Sequence, residues 1–332
     1  MPRYHGPEER ETIRLNPRLL TRLEEKKARL DLHRPLAPVI ARRLHEDLRI
    51  RLTYHSNALE GNTLSLRETQ VVIEEGITIG GHSLREHLEA TNHAAAYDGL
   101  RRLIEQETAI TLETILWLHA LVLHDLHEAA GGWRAQPVYI RGSNLRPPPA
   151  DQVPLFMAQW VSWQSGEGFH YHPVVRAAIA HHGFVAVHPF VDGNGRCARL
   201  LLNLQLLRDG YAPAFLLREW KLRYLQALQA ADAGAYTPLV NLIGQAVEAG
   251  LDFYLDACAA VPDEQYQPLT ALALQHGYDV NYLGLLARLG KLEARKWNRR
   301  WYATPAALAR YETEARAEPR GRPPRRQVRK KQ

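Results

Sequence analysis

At 332 residues the chain can bury one large core or two to three smaller ones, and its 45% hydrophobic and 23% charged residues are those of a soluble globular protein. Two cysteines, Cys197 and Cys258, exclude a disulfide framework; no apolar run approaches a membrane span, and the opening MPRYHGPEER has no apolar signal core, so no membrane contact and a cytoplasmic location are expected. The formal net charge of +6 is a tail property: from Arg316 onward eight Arg or Lys face one Glu, leaving residues 1–315 at −1, so a polyanion contact is expected at the C-terminus.

Residues 1–95 read as a helical region. The stretch 41–62 keeps apolar residues at helical intervals and stops at Gly61-Asn62, and Ser65 with Glu68 and Ser83 with Glu86 form capping boxes for the next two helices. A second region, 96–258, opens with an amphipathic helix at 111–126. Then GGWRAQPVYIRGSNLRPPPA (131–150) changes character, and its β-prone Val138, Tyr139 and Ile140 predict a hairpin-like flap. Helices resume at 153–164, at 174–187 behind Pro173, at 196–208 and through 217–257. In a third region, 263–315, a short helix at 268–275 leads to Asp279, which caps 280–289 before Gly290; residues 291–304 have β-prone ends around a Trp297-Asn298-Arg299 turn, and Thr304-Pro305 starts another helix. Helix, helix, basic hairpin, helix is the order of a winged-helix module, and the Pro- and Arg-rich 316–332 reads as a tail disordered when alone.

The chemistry concentrates in HPFVDGNGRCAR, 188–199. Gly193 and Gly195 permit a backbone in which successive N–H groups turn inward around an anion, and the helix that follows adds its positive end. Arg196 and Arg199 lie on one side of that helix, ready for phosphate oxygens. Asp192 is a candidate Mg²⁺ ligand and His188 a candidate base, since a neutral imidazole suits proton removal near pH 7. His170, His172, His181, His182 and His188 show no ligand pair in a zinc-type spacing with a matching acid or thiol, and Cys197 reads as a passive small residue.

This stretch matches, position by position, the signature His-x-Phe-x-Asp/Glu-Gly-Asn-Gly-Arg-x-x-Arg, and with the preceding HPVVRAAIAHHGFVAVHPF, the proline-bearing flap and SNALEGN it resembles the Fic (filamentation induced by cAMP) family over roughly residues 40–250. The resemblance implies an all-α fold: a Fic-type helical core with a β-hairpin flap, an N-terminal helical inhibitory region and a C-terminal small α+β winged helix. It implies a protein adenylyltransferase that moves AMP from ATP to Ser, Thr or Tyr hydroxyls of a protein, itself included. His188, Asn194 and Arg196 would be catalytic; Gly193, Asn194, Gly195, Arg196, Arg199 and, for adenine, Tyr224 would bind nucleotide; and Asp192 would hold Mg²⁺. Gly193 would leave room for a full nucleotide. Ser56, Glu60 and Gly61 resemble the family's inhibitory motif, in which Glu60 would pair bidentately with Arg199 in place of the γ-phosphate, or position a water for removal of AMP. Val138, Tyr139 and Ile140 would offer a strand edge to the target.

The C-terminal region supports another class of function. Arg288, Lys291, Arg295, Lys296, Arg299 and Arg300 interleave with tryptophans, and Arg320 and Arg322 flank a glycine in an AT-hook-like strip. The alternative reading is therefore a nucleotide-sensing, DNA-binding transcriptional regulator. The partners implied are a protein substrate, DNA and a second copy in a homodimer. Transfer of UMP, phosphate or phosphocholine stands beside AMP.

Overall fold

The computed structural model describes residues 13–140, 143–259, 266–297 and 299–317, without the side chains of 314–317. The chain divides into two compact units, one of residues 13–27 and 45–253, the other of 28–44 and 254–317.

The first unit is helical. Its N-terminal elements are α1 (Pro17–Leu32), α2 (Pro38–Glu60), α3 (Leu66–Glu75) and α4 (Leu84–Glu105), with α1 and the start of α2 running beyond the unit's limits. Both expected capping boxes form: Ser65 and Ser83 accept from the backbone of Glu68 and Glu86, whose carboxylates return the bond to the serine N–H groups. Helix α2 stops where Gly61 turns to φ 113°, a conformation a side chain would strain.

Then follow α5 (Leu112–Val122), α6 (Val153–Ser165), α7 (Pro173–Val187), α8 (Asn194–Arg208), α9 (Lys221–Asp232) and α10 (Thr237–Ala259). Helices α7 and α8 form the central pair, with α4 and α5 against α8 and α6 against α7. Small residues let these helices approach closely: Ala177, Ala178 and Ala180 are fully buried, and Trp160 donates its indole N–H to Ala180 O at 2.7 Å. The pair is buried on nearly every face, so the loop joining it at 188–193 has a rigid base.

The flap departs from its expected form. Among the described residues 131–140 and 143–149 no strand forms; Pro137, Pro147, Pro148 and Pro149 supply no backbone donors for a ladder, and Tyr139 stands 87% exposed.

The second unit contains β1 (Gln267–Pro268), α11 (Leu269–His276), α12 (Val280–Arg288), β2 (Ala294–Trp297), β3 (Arg300–Ala303) and α13 (Pro305–Ala317). The order helix, helix, hairpin, helix is the expected one, and Asp279 caps α12 as expected. The sheet is antiparallel in the order β1-β3-β2, with Arg295 opposite Tyr302 and Lys296 opposite Trp301. Leu269, Leu272, Leu283, Leu286, Ala303 and Leu308 make its core.

Candidate functional site

His188 caps the C-terminus of α7 in a left-handed conformation, φ 48° and ψ 61°. Its Nδ1 lies 3.2 Å from Val185 O, and a carbonyl can only accept, so Nδ1 carries the hydrogen and the Nε2 lone pair remains for chemistry. Burial pushes the imidazole below its ordinary pKa, against the Val185 bond that would raise it.

The loop after it is stapled from within. The Asn194 amide accepts from Phe190 N at 2.9 Å and donates to Phe190 O at 2.8 Å, so its side chain shapes the loop. Phe190 is fully buried, stacked on His119 with ring centres 3.6 Å apart and on Trp133. His119 accepts from Gly131 N at Nδ1 and donates from Nε2 to Asp192 O. Burial lowers its pKa to about 4, so this neutral tautomer is fixed.

Gly193 precedes α8 at φ 78° and no side chain caps the helix, so no capping side chain takes up its first N–H groups. A Cβ on Gly193 would make only ordinary contacts with His119, Leu123 and Val122; what demands glycine there is the left-handed backbone. Gly195 is the close approach: a Cβ would stand 2.2 Å from Glu60 Oε1 and 3.0 Å from Arg199 Nη1, so Glu60 lies against the first turn of α8.

Arg196 is 2% exposed; its Nη2 reaches Asp192 Oδ1 at 3.2 Å and its Nη1 stands 3.5 Å from Glu89, yet Nε and Nη1 have no hydrogen-bond acceptor. Buried donors without acceptors are costly and mark a place for a ligand's oxygens. Asp192 also accepts from Gly193 N at 2.6 Å and from Arg85 Nη2 at 2.6 Å. Burial would raise its pKa, but Arg196 and these partners bring it below the ordinary aspartate value. The carboxylate is ionised and 39% exposed, a hard oxygen donor suited to Mg²⁺, although among the described residues no three His, Cys, Asp or Glu gather into a metal-holding group.

Arg199 and the α2 motif meet as expected, with one correction. Arg199 Nη2 donates to Glu60 Oε1 at 2.7 Å through a single oxygen, where a bidentate pair was expected. Two further donors go to Ser56, Nε to its Oγ at 3.0 Å and Nη2 to its carbonyl at 2.9 Å, so Nη2 is shared between the Ser56 carbonyl and the carboxylate. Burial would raise the Glu60 carboxyl, but Arg199 brings it below its ordinary value. Asn57 and Asn62 fix the motif to α4 through the carbonyls of Glu89 and Glu86, while Gly61 supplies the stop.

Tyr224 is not an open stacking platform, the nucleotide contact expected of it. It is buried, and its hydroxyl donates to His181 Nε2 at 2.7 Å and accepts from Arg199, because α9 turns that face inward; it braces Arg199 from behind. Asp232, from the same helix, accepts from His182 at 2.9 Å and from Ser143 Oγ at 2.7 Å, anchoring the flap segment itself. Val138 and Ile140 are half-buried and offer no paired strand edge.

In the second unit Arg288, Lys291, Lys296, Arg299 and Arg300 are exposed. Arg295 is not available: its Nη1 donates to Leu36 O at 2.6 Å and its guanidinium lies over Tyr266. Arg320 and Arg322 fall outside the described residues. Arg85, His119 and Arg134 were not singled out from the sequence.

These features define a helical protein whose loop-helix joint gathers an imidazole, a helix start without a side-chain cap, two arginines and a carboxylate, with Glu60 against the first turn of α8. Residues 109–206 match the Fic/DOC family. The chain is 36% identical over 253 residues to the protein adenylyltransferase Fic of Drosophila grimshawi, covering 75% of this chain and 52% of that one. The chain spans about half the length of the curated relatives it matches. Among solved structures it is similar to Fic-1 (residues 134–508) of C. elegans, with 33% identity, a TM-score of 0.67 and coverage of 73% of this chain and 72% of that one. It is also similar to a Fic family protein of Desulfovibrio desulfuricans G20, with 25% identity, a TM-score of 0.63 and coverage of 91% and 98%. The chain belongs to the Fic family. No described helix is long and apolar enough to cross a membrane.

Proposed function

We propose that the chain transfers AMP from ATP to serine, threonine or tyrosine hydroxyls of proteins, itself included, and that Glu60 restrains it. The observation that carries this reading is His188, a half-buried imidazole with a free Nε2, six residues after which the same loop leads into a helix whose Arg196 has buried donors to spare. In the step, the hydroxyl oxygen bonds to the α-phosphorus, the bond from phosphorus to pyrophosphate breaks, and the hydroxyl proton passes to Nε2. Arg196 and the first N–H groups of α8 would receive the phosphate oxygens, and Arg199 the terminal phosphate once Glu60 gives way. Asp192 would hold Mg²⁺, after parting from Arg85; the bound ion supplies charge neutralisation at the phosphates. AMP as the transferred group is supported by the named activity of the Drosophila relative. The test is His188→Ala in a Glu60→Gly background with α-labelled ATP. Label should no longer enter protein while nucleotide still binds, and persistent labelling refutes the assigned base. The adduct mass separates AMP from UMP, phosphate and phosphocholine.

A second reading, contact with DNA, is favoured by the exposed Arg288, Lys291, Lys296, Arg299 and Arg300 around one hairpin. The exposed residues of α12 include the apolar Val280 and Leu285, so contact would be with phosphates rather than base edges. The full chain carrying Lys296→Glu and Arg300→Glu should lose a gel shift that the parent shows; equal shifts by both refute it.

A further inference from the structure

Arg134 lies outside the loop motif, and the transfer step just described does not use it. It is 2% exposed, and every hydrogen bond of its guanidinium goes to a backbone carbonyl. Nε donates to His188 O at 2.8 Å, Nη1 to Gln136 O at 3.1 Å, and Nη2 to Pro148 O at 2.5 Å and Val187 O at 3.5 Å, while its backbone N–H bonds Pro189 O. A cation taken out of water needs compensation, and here the carbonyls closing α7, the negative end of that helix, provide part of it.

The acceptors belong to two sets with different consequences. Val187 and His188 are the turn that bears the base, and His188 holds a left-handed backbone that a non-glycine residue resists. That backbone persists because both of its ends are tied, the ring to Val185 O and the carbonyl to Arg134. Gln136 and Pro148 belong to the flap, twelve residues apart and joined through one side chain.

We propose that Arg134 is a positioning residue for the transfer step: it locks the His188 turn in the geometry that aims Nε2 and fixes Gln136 and Pro148 of the flap to that turn, so base and flap share one anchor. The proposal rests on the function argued above. Lysine cannot replace the fork, because a point charge on a flexible stem cannot hold four carbonyls from two segments. The charged groups facing the His188 ring are Arg134, Glu60 and Asp192, and Arg134 acts on it to lower its pKa.

The experiment compares Arg134→Lys and Arg134→Gln in the Glu60→Gly background. Three readouts are followed: the self-modification rate at saturating ATP, ADP affinity by calorimetry, and titration of the His188 ring by NMR. The expected result is a fall in kcat of roughly 10- to 100-fold in both variants, the effect of a misplaced base, with ADP affinity within about twofold of the parent. The His188 ring should titrate at higher pH in Arg134→Gln, where the cation is gone. Unchanged kcat in both variants, ADP affinity lost in step with kcat, or an unmoved titration in Arg134→Gln overturns the proposal. If Arg134→Gln does not fold, kcat against ADP affinity in Arg134→Lys decides. If the parent itself transfers no AMP, the functional reading fails, and the titration alone decides whether Arg134 governs His188.

Discussion

Glu60→Gly removes the carboxylate that lies across the first turn of α8. One charge-assisted bond to Arg199 is lost, at 2.7 Å, and the Glu60 side chain is 41% exposed, so solvent already screens part of its attraction. The lower end of the range for hydrogen bonds to charged groups therefore applies, about 1.5 kcal/mol, which corresponds to roughly a tenfold change in an equilibrium. Occlusion adds to this, because Glu60 Oε1 occupies space only 2.2 Å from where a Cβ on Gly195 would be. Self-modification with α-labelled ATP at limiting nucleotide should rise tenfold or more in Glu60→Gly, whereas Ser56→Ala, which removes one hydroxyl acceptor from Arg199 and leaves the carboxylate, should change it by less than about threefold. A Glu60→Gly rate equal to that of the parent, in a protein that binds ADP, would refute the inhibitory contact.

Because burial holds the His188 imidazole below its ordinary value, the ring stays neutral to lower pH than free histidine. The acidic limb of kcat for Glu60→Gly should then fall below the usual imidazole range near 6.5, and a limb above it would contradict the assignment. Arg85→Ala removes an exposed ion-pair partner of Asp192, worth a few tenths to 1 kcal/mol; the Mg²⁺ midpoint for ADP binding should drop about two- to fivefold, while Asp192→Asn should raise it. Phe190→Ala empties a fully buried ring site between His119 and Trp133, and should cost about 3–5 kcal/mol in urea unfolding; a loss under about 1 kcal/mol would show that the stack does not hold the loop.

What was legible in the sequence was local. The serine caps of α3 and α4, the glycine stop of α2 and the loop-helix joint at 188–199 all depend on partners within a few residues. The approach of Ser56 and Glu60 to Arg199 was read from resemblance, since contacts across 139 and 143 positions leave no periodic trace. The same distance in sequence hides Arg85, His119 and Arg134, which join partners 107, 73 and 54 positions away. An arginine in the proline-flanked segment after Gly131-Gly132 was the one visible hint of the last. Tyr224 was misjudged because composition does not fix the rotation of α9, and the hairpin because β-prone side chains were weighed without the donors its prolines lack.

Two of the three bonds that Arg199 makes to α2 end on Ser56, one turn before the glutamate. If Glu60 restrains transfer as proposed, α2 need not detach for transfer to start: a swing of one side chain about its own torsions, at the solvent-facing tip of α2, would uncover the arginine while the scaffold stays in register. Release on this plan is quick, reversible and graded, more like a thumb lifted from a valve than a door taken off its hinges.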